Sequence, residues 1–404
     1  MNGSSPRTPH RRWAALAVLV LLATFASLVV FFRLADVYHS HFFAISKGLA
    51  LGYNAARLGL GVVILAGCLG IGGSLRSLLE RWRANPGPMS HVDTLILDFF
   101  AGASVLGTFW YGVGLLGGLH PALAVAVHGL ALIPCGPRLA RCVGKAAARA
   151  RTFLSGPMPG LTEVASGLLL ACLLVAALAS VAANFALNAL VPGGTHDVYH
   201  HYFPYLVQVL ERGNTRPNDV WYHFYYTKSQ GLFFSAALLS DPLAPQIVSG
   251  VFVLATSLCV YGMLRVPLLP RHFALLGVTA FNLAFLTQED WIFHQKNHIV
   301  MLGYLGWLLW HGVRLWQGAE GLRGGSGRWL GGLVACCFIL NTPSAFVVAL
   351  PFTGGLLLLA LVLRSHRAVA LDYFVLCAGL VLGLLGTFGL NHALMGMAEI
   401  NPFR

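Results

Sequence analysis

The chain alternates between long apolar blocks and short polar connections. A helix that crosses a bilayer needs about 20 mostly apolar residues. The pattern predicts such helices at 13–32, 57–75, 94–117, 120–136, 164–187, 246–264, 272–288, 299–313, 329–341, 345–363 and 369–390. Arg7, Arg11 and Arg12 precede the first block and no small-residue cleavage site follows it, so it reads as an uncleaved anchor rather than a signal peptide. Gly231 to Ser240 is also apolar but only about half the length needed. It reads as a re-entrant or interfacial piece, because counting it as a span would carry Arg314, Arg323 and Arg328 to the opposite face.

Composition narrows the class. Hydrophobic residues make up 57% of the 404 and charged residues 10%, against about 25% charged in an average soluble domain. Mean hydropathy is +0.72. A chain this poor in charge cannot cover a water-facing surface, which excludes a soluble enzyme, a nucleic-acid binder and a disordered chain. The expected fold is all-α: a polytopic integral membrane protein with about 11 spans, forming one transmembrane domain over 1–404. The eight cysteines show no CxxC or zinc-ligand spacing and mostly lie in apolar blocks, as small core residues do.

The net charge of +12 matters through its placement. With the N-terminus in the cytoplasm and eleven spans alternating, 18 of the 26 lysines and arginines fall on the cytoplasmic side. That asymmetry favours this orientation over its inverse. The expected location is the inner (plasma) membrane of the cell.

Two external stretches are then rich in polar and aromatic residues, 188–245 and 288–298. Ionisable groups clustered at a membrane mouth are costly and so are candidate chemistry. Within the first, Phe203, Leu206, Val207 and Leu210 recur at helical spacing, with Gln208, Glu211 and Arg212 on the opposite side. The spacing predicts a short interfacial helix that stops at Gly213. Asp197 lies just ahead of it, where a carboxylate at the lipid–water boundary can meet both a lipid-borne and a water-borne substrate. The plainer alternative is that it caps the helix. The run Trp221-Tyr222-His223-Phe224-Tyr225-Tyr226-Thr227-Lys228 suits an aromatic belt, or a stacking wall for sugar or lipid made of Trp221, Tyr222 and Tyr225. Arg212, Arg216, Lys228 and Lys296 are external cations able to neutralise a phosphate.

Asp197, Tyr199-His200, Pro204 and Gly213, followed by an Asn/Trp/Tyr-rich stretch and a Gly-Leu apolar run, resemble the first catalytic external loop of GT-C superfamily glycosyltransferases. The likeness is nearest to bacterial proteins akin to the protein O-mannosyltransferase and aminoarabinose transferase families. It covers about 195–260 and is looser elsewhere; here four spans precede the loop, where many family members place it after the first. The resemblance implies an inverting transfer from a polyprenyl-phosphate sugar to an acceptor hydroxyl of a glycan, lipid or protein. It implies Asp197 as general base, and a second acidic position at Glu289 or Asp290. The chemistry needs a base for the acceptor hydroxyl and donors or cations for the departing phosphate; His200, Arg216, Lys228 and Lys296 are the candidates for the latter. No cofactor is required outright, and a divalent cation is left open.

Two other classes compete. His196, His200, His201, His294 and His298 are spaced like the histidine boxes of membrane di-iron desaturases and hydroxylases. A third box is missing and these lie on the external side, whereas that family's face the cytoplasm. A transporter would keep polar groups within its spans, for which Asn54, Arg57, Asp98 and Asn341-Thr342-Pro343 are the candidates. Asp36-Val37-Tyr38-His39 repeats Asp197-Val198-Tyr199-His200, so Asp36 is the natural rival to Asp197 as base.

Overall fold

The computed structural model describes residues 47–81, 89–137, 161–190, 203–215, 231–241, 244–265, 271–286 and 298–395, together with 140, 144 and 148. The expected span at 13–32 lies outside them. The described residues form helices and turns, with no strand among them. In chain order the helices are α1 (Lys47–Arg81), α2 (His91–Leu115), α3 (Pro121–Leu132), α4 (Leu161–Leu190), α5 (Phe203–Arg212) and α6 (Gly231–Leu239). They continue as α7 (Gln246–Leu264), α8 (Arg271–Leu286), α9 (His298–Trp316), α10 (Gly325–Asn341), α11 (Phe346–Val362) and α12 (Ala370–Met395).

Among the described residues, five stretches are long and apolar enough to cross a bilayer: Asn54–Arg81, His91–Leu115, Gln246–Leu264, Pro343–Val362 and Arg364–Leu390. Pro121–Leu132 and Leu169–Phe185 are shorter apolar helices. Large apolar side chains lie open on the outer surface, including Leu116 at 83% and Val362 at 74%. An apolar exterior of this extent is what lipid, rather than water, would solvate.

Without a hydrophobic drive between helices in lipid, small residues that let backbones approach do much of the packing. A Cβ at Gly72 would strike the Asp98 carbonyl, and one at Gly102 the Cys68 carbonyl; this sets α1 against α2 in antiparallel register. Gly379 and Gly383, one helical turn apart, meet the carbonyls of Gly332 and Cys336, so α12 lies along α10. Phe100, Phe252, Tyr304, Trp307 and Phe338 fill the centre. There the Phe100 and Tyr304 ring centroids are 5.4 Å apart, and Ser104 and Tyr304 share a hydrogen bond of 3.2 Å. Asn184 of α4 donates to Asn282 of α8 at 2.9 Å, and Asn282 donates to Ser257 of α7 at 3.0 Å. Both asparagines are fully buried, so each polar group finds its partner on a neighbouring helix.

The bundle has two unlike ends. At one, three arginine–aspartate pairs tie helices together: Arg76–Asp98, Arg314–Asp93 and Arg328–Asp372, each with a contact of 2.7 Å. Arg81, Arg265, Arg271, Arg364 and Arg367 belong to the same end, which we call the arginine end. Arg57 sits 19 residues before Arg76 on α1, a rise of about 28 Å, close to the ~30 Å of a hydrocarbon core. It marks the opposite end, the loop end.

Where the helices differ from expectation, the reasons are local. The helix expected over 120–136 stops at Leu132, because Pro134 has no N–H to donate to the Leu130 carbonyl and its ring crowds that carbonyl. The one expected at 57–75 runs from Lys47 to Arg81, since a helix carries on through polar residues that a hydropathy window leaves out. The block at 329–341 is helical from Gly325 to Asn341.

Candidate functional site

The short apolar block 231–240 forms α6, nine residues long. Gly231 abuts Gly107, where a Cβ would collide with the carbonyl. Gly107 lies eight residues before the end of α2, so α6 begins about 12 Å inside the bundle. Gly231 through Ala237 are buried. The helix then rises to Asp241 beside Arg57, so α6 occupies only the loop-end part of the bundle and does not cross it. Broken backbone at such depth is tolerated where protein surrounds it.

α5 forms over Phe203–Arg212 and ends at Gly213 with φ +66°, the left-handed stop that glycine accepts freely. Leu206 and Val209 are its buried residues, packed with Trp110, Leu119, Ala124, Phe234 and Ala237. The buried stripe is turned from the one expected: Val209 is buried and Val207 only half so. The cause is that α2, α3 and α6 press on this helix from one side. Glu211 and Arg212 are exposed, as the spacing predicts. The Leu119 N–H donates to the Gly213 carbonyl at 3.1 Å, and the Thr215 N–H to the Gly114 carbonyl at 3.0 Å. These bonds fasten α5 to the loop end of α2.

At that end Arg57 is 1% exposed. Its Nη1 donates to Gln246 Oε1 at 3.4 Å, and its Nη2 lies 3.7 Å from Asp241 Oδ1. Asp241 is itself about a third exposed and accepts from the Ser240 hydroxyl at 3.1 Å. This ion pair is longer and wetter than the three at the arginine end. A buried guanidinium on an apolar helix is costly unless it has work to do.

The ten loop residues nominated from the sequence lie outside the described residues. They are Asp197 and His200 in 191–202; Arg216, Trp221, Tyr222, Tyr225 and Lys228 in 216–230; and Glu289, Asp290 and Lys296 in 287–297. Asp36, His196, His201, His294 and the side chain of His298 lie outside them too. The helix ends that flank these three loops are described, and they share one end of the bundle. Asn184, Asn282 and Ser257 meet at one level, which carries the ends of α4 and α8 to the side where α7 begins at Gln246. Gly303 and Gly306 of α9 face Phe252 and Thr256 of α7, so α9 begins on that side as well. Leu190, Phe203, Thr215, Leu286 and His298 thus border the end that holds Arg57, Asp241 and Gln246.

The transporter candidates separate. Asp98 is engaged by Arg76 through two contacts, Nε at 2.7 Å and Nη2 at 3.2 Å, at the arginine end. Asn341 and Thr342 are buried where α10 turns into α11. Among the described residues no group of three His, Cys, Asp or Glu side chains could hold a metal. Asp241, Gln246, Asn184 and Asn282 were not evident from the sequence. The signal for the first two was present in Asp241-Pro242-Leu243-Ala244-Pro245-Gln246, a polar, proline-bounded hinge between two apolar runs.

No family model, curated protein or solved structure matches the chain.

Proposed function

We propose that the protein is a GT-C-like membrane glycosyltransferase that moves a sugar from a polyprenyl-phosphate donor to an acceptor hydroxyl at the external face, inverting the anomeric centre. In this reading the arginine end faces the cytoplasm, as the positive-inside rule favours, and the N-terminus lies there too. The loop end is then the external mouth. Asp197 takes the proton as the acceptor oxygen forms its bond to the anomeric carbon. The bond from that carbon to the phosphate oxygen breaks, and polyprenyl phosphate leaves with the electron pair. Cations stabilise the charge developing on it: Arg216, Lys228 and Lys296, helped by His200, with Trp221, Tyr222 and Tyr225 stacking on sugar or lipid. Glu289 or Asp290 supplies a second carboxylate.

The observation that carries this reading is the convergence of helix ends. The described helix ends that flank all three stretches with acidic, aromatic and cationic candidates lie on the same side of the bundle as one buried arginine. Arg57 joins the phosphate-binding set on that ground. Its 3.7 Å partner Asp241 is one that the donor's phosphodiester anion can displace, and the second charge that develops as the phosphate departs strengthens that contact.

The test is transfer of label from a polyprenyl-phosphate sugar by the purified protein in proteoliposomes; absence of transfer across a panel of sugars and acceptors contradicts the reading. Within that assay, Arg57→Gln is expected to raise KM for the lipid-linked donor about tenfold, the worth of one charge-assisted contact, with a smaller change in kcat. An unchanged KM would remove Arg57 from the donor site.

A further inference from the structure

A groove of about 850 Å³ runs along the bundle surface between α1, α2 and α3, away from the loop end. Its walls are apolar, with Leu75 and Leu78 from α1, Leu106 and Phe109 from α2, and Leu130 from α3. Ser74 and Ser77 also border it, but their hydroxyls donate back to the Gly70 and Gly73 carbonyls at 2.8 Å, so they add no polar demand. At the arginine end the wall closes with Arg81, which is exposed and makes no ion pair with any described residue. From Ile71 to Arg81 α1 rises about 15 Å, half the ~30 Å hydrocarbon core and so the depth of one leaflet. The groove therefore matches a lipid tail in length and character, and among the described residues that line it the one charge is a cation at headgroup height.

We propose that this groove holds an acyl chain of an anionic phospholipid whose phosphate sits on Arg81. Charge complementarity selects the anionic class: basic pockets between helices at the cytoplasmic level favour such headgroups. The site is separate from the proposed donor site, and only its cytoplasmic placement rests on the orientation proposed above. The bound chain would fill the crease left where α3 ends at Leu132 while α1 continues to Arg81. It would thereby tie α3, which is short for a span, to its neighbours.

The test uses full-length protein in nanodiscs of mixed phosphatidylglycerol and phosphatidylcholine, followed by extraction and native mass spectrometry of retained lipid. Wild type is expected to keep phosphatidylglycerol over phosphatidylcholine by about fivefold, the contribution of one surface cation. Arg81→Gln should bring the ratio near unity while retaining lipid. Leu130→Trp, at a position open to the surface and so compatible with folding, should lower retention of both. Equal retention by wild type, or a preference that survives Arg81→Gln, overturns the proposal. So does crosslinking of Leu130→Cys to residues 13–32 in native membranes, which would put the chain's own first apolar segment in the groove.

Discussion

Asp197→Asn is expected to lower sugar transfer by roughly 10²–10⁴-fold, the usual contribution of a positioned general base. The amide keeps the shape of the carboxylate and its ability to accept a hydrogen bond, but it cannot hold a proton taken from the acceptor. KM for the donor should therefore change little while kcat falls, and folding should be untouched. The repeated string at Asp36-Val37-Tyr38-His39 provides the control. Asp36→Asn is expected to retain activity; a dead Asp36→Asn beside an active Asp197→Asn would move the base to the first external loop. Kinetics on matched membrane preparations decide between them.

Arg314→Leu is expected to be the most damaging single change to stability among the described residues outside the core. Asp93 is buried and is the third residue of α2, where Ser90 caps the helix by accepting from the Asp93 N–H at 3.1 Å. Its carboxylate receives Arg314 Nε at 3.1 Å and Nη2 at 2.7 Å, and the Ser90 hydroxyl at 2.6 Å. The pair joins α2 to α9 across 221 residues of sequence. Removing the arginine leaves a buried carboxylate with one hydroxyl donor, a loss of about 3–5 kcal/mol. Thermal unfolding in detergent should show it as a clear fall in midpoint. Replacing both partners, Asp93→Leu with Arg314→Leu, should recover much of that loss, since two apolar groups carry no stranded charge. A double variant no better than the single would mean that the pair's geometry, not its charge balance, holds the two helices.

The helices were largely legible because each is encoded locally. A continuous apolar block announces itself, and 246–264 matches α7 at both ends. That α5 is a helix was readable from spacing and its stop from a single glycine, but not which stripe it buries, since that is set by α2, α3 and α6 pressing on it from one side. What the sequence concealed is pairing at long range. Nothing near Asp98 in the chain points to Arg76, and nothing near Asp93 points to Arg314, so Asp98 stood out as an intramembrane charge until its partner was seen. Asn184 and Asn282 were hidden for the same reason: a lone amide in an apolar block looks like an exception until a second one faces it. The candidate site divides along this line. Its residue types were recognisable in the loops, whereas the buried Arg57 with Asp241 and Gln246 emerged only once α1, α6 and α7 were brought together.

The claim on which the account rests is that the three candidate loops open on one face and the paired arginines on the other. In an active background with its native cysteines replaced, Asp197→Cys, Lys228→Cys and Lys296→Cys should each react with a membrane-impermeant maleimide applied to intact cells. Ser365→Cys, beside Arg364 at the arginine end, should react only after the membrane is opened. Labelling of Asp197→Cys and Ser365→Cys from the same side would contradict the account.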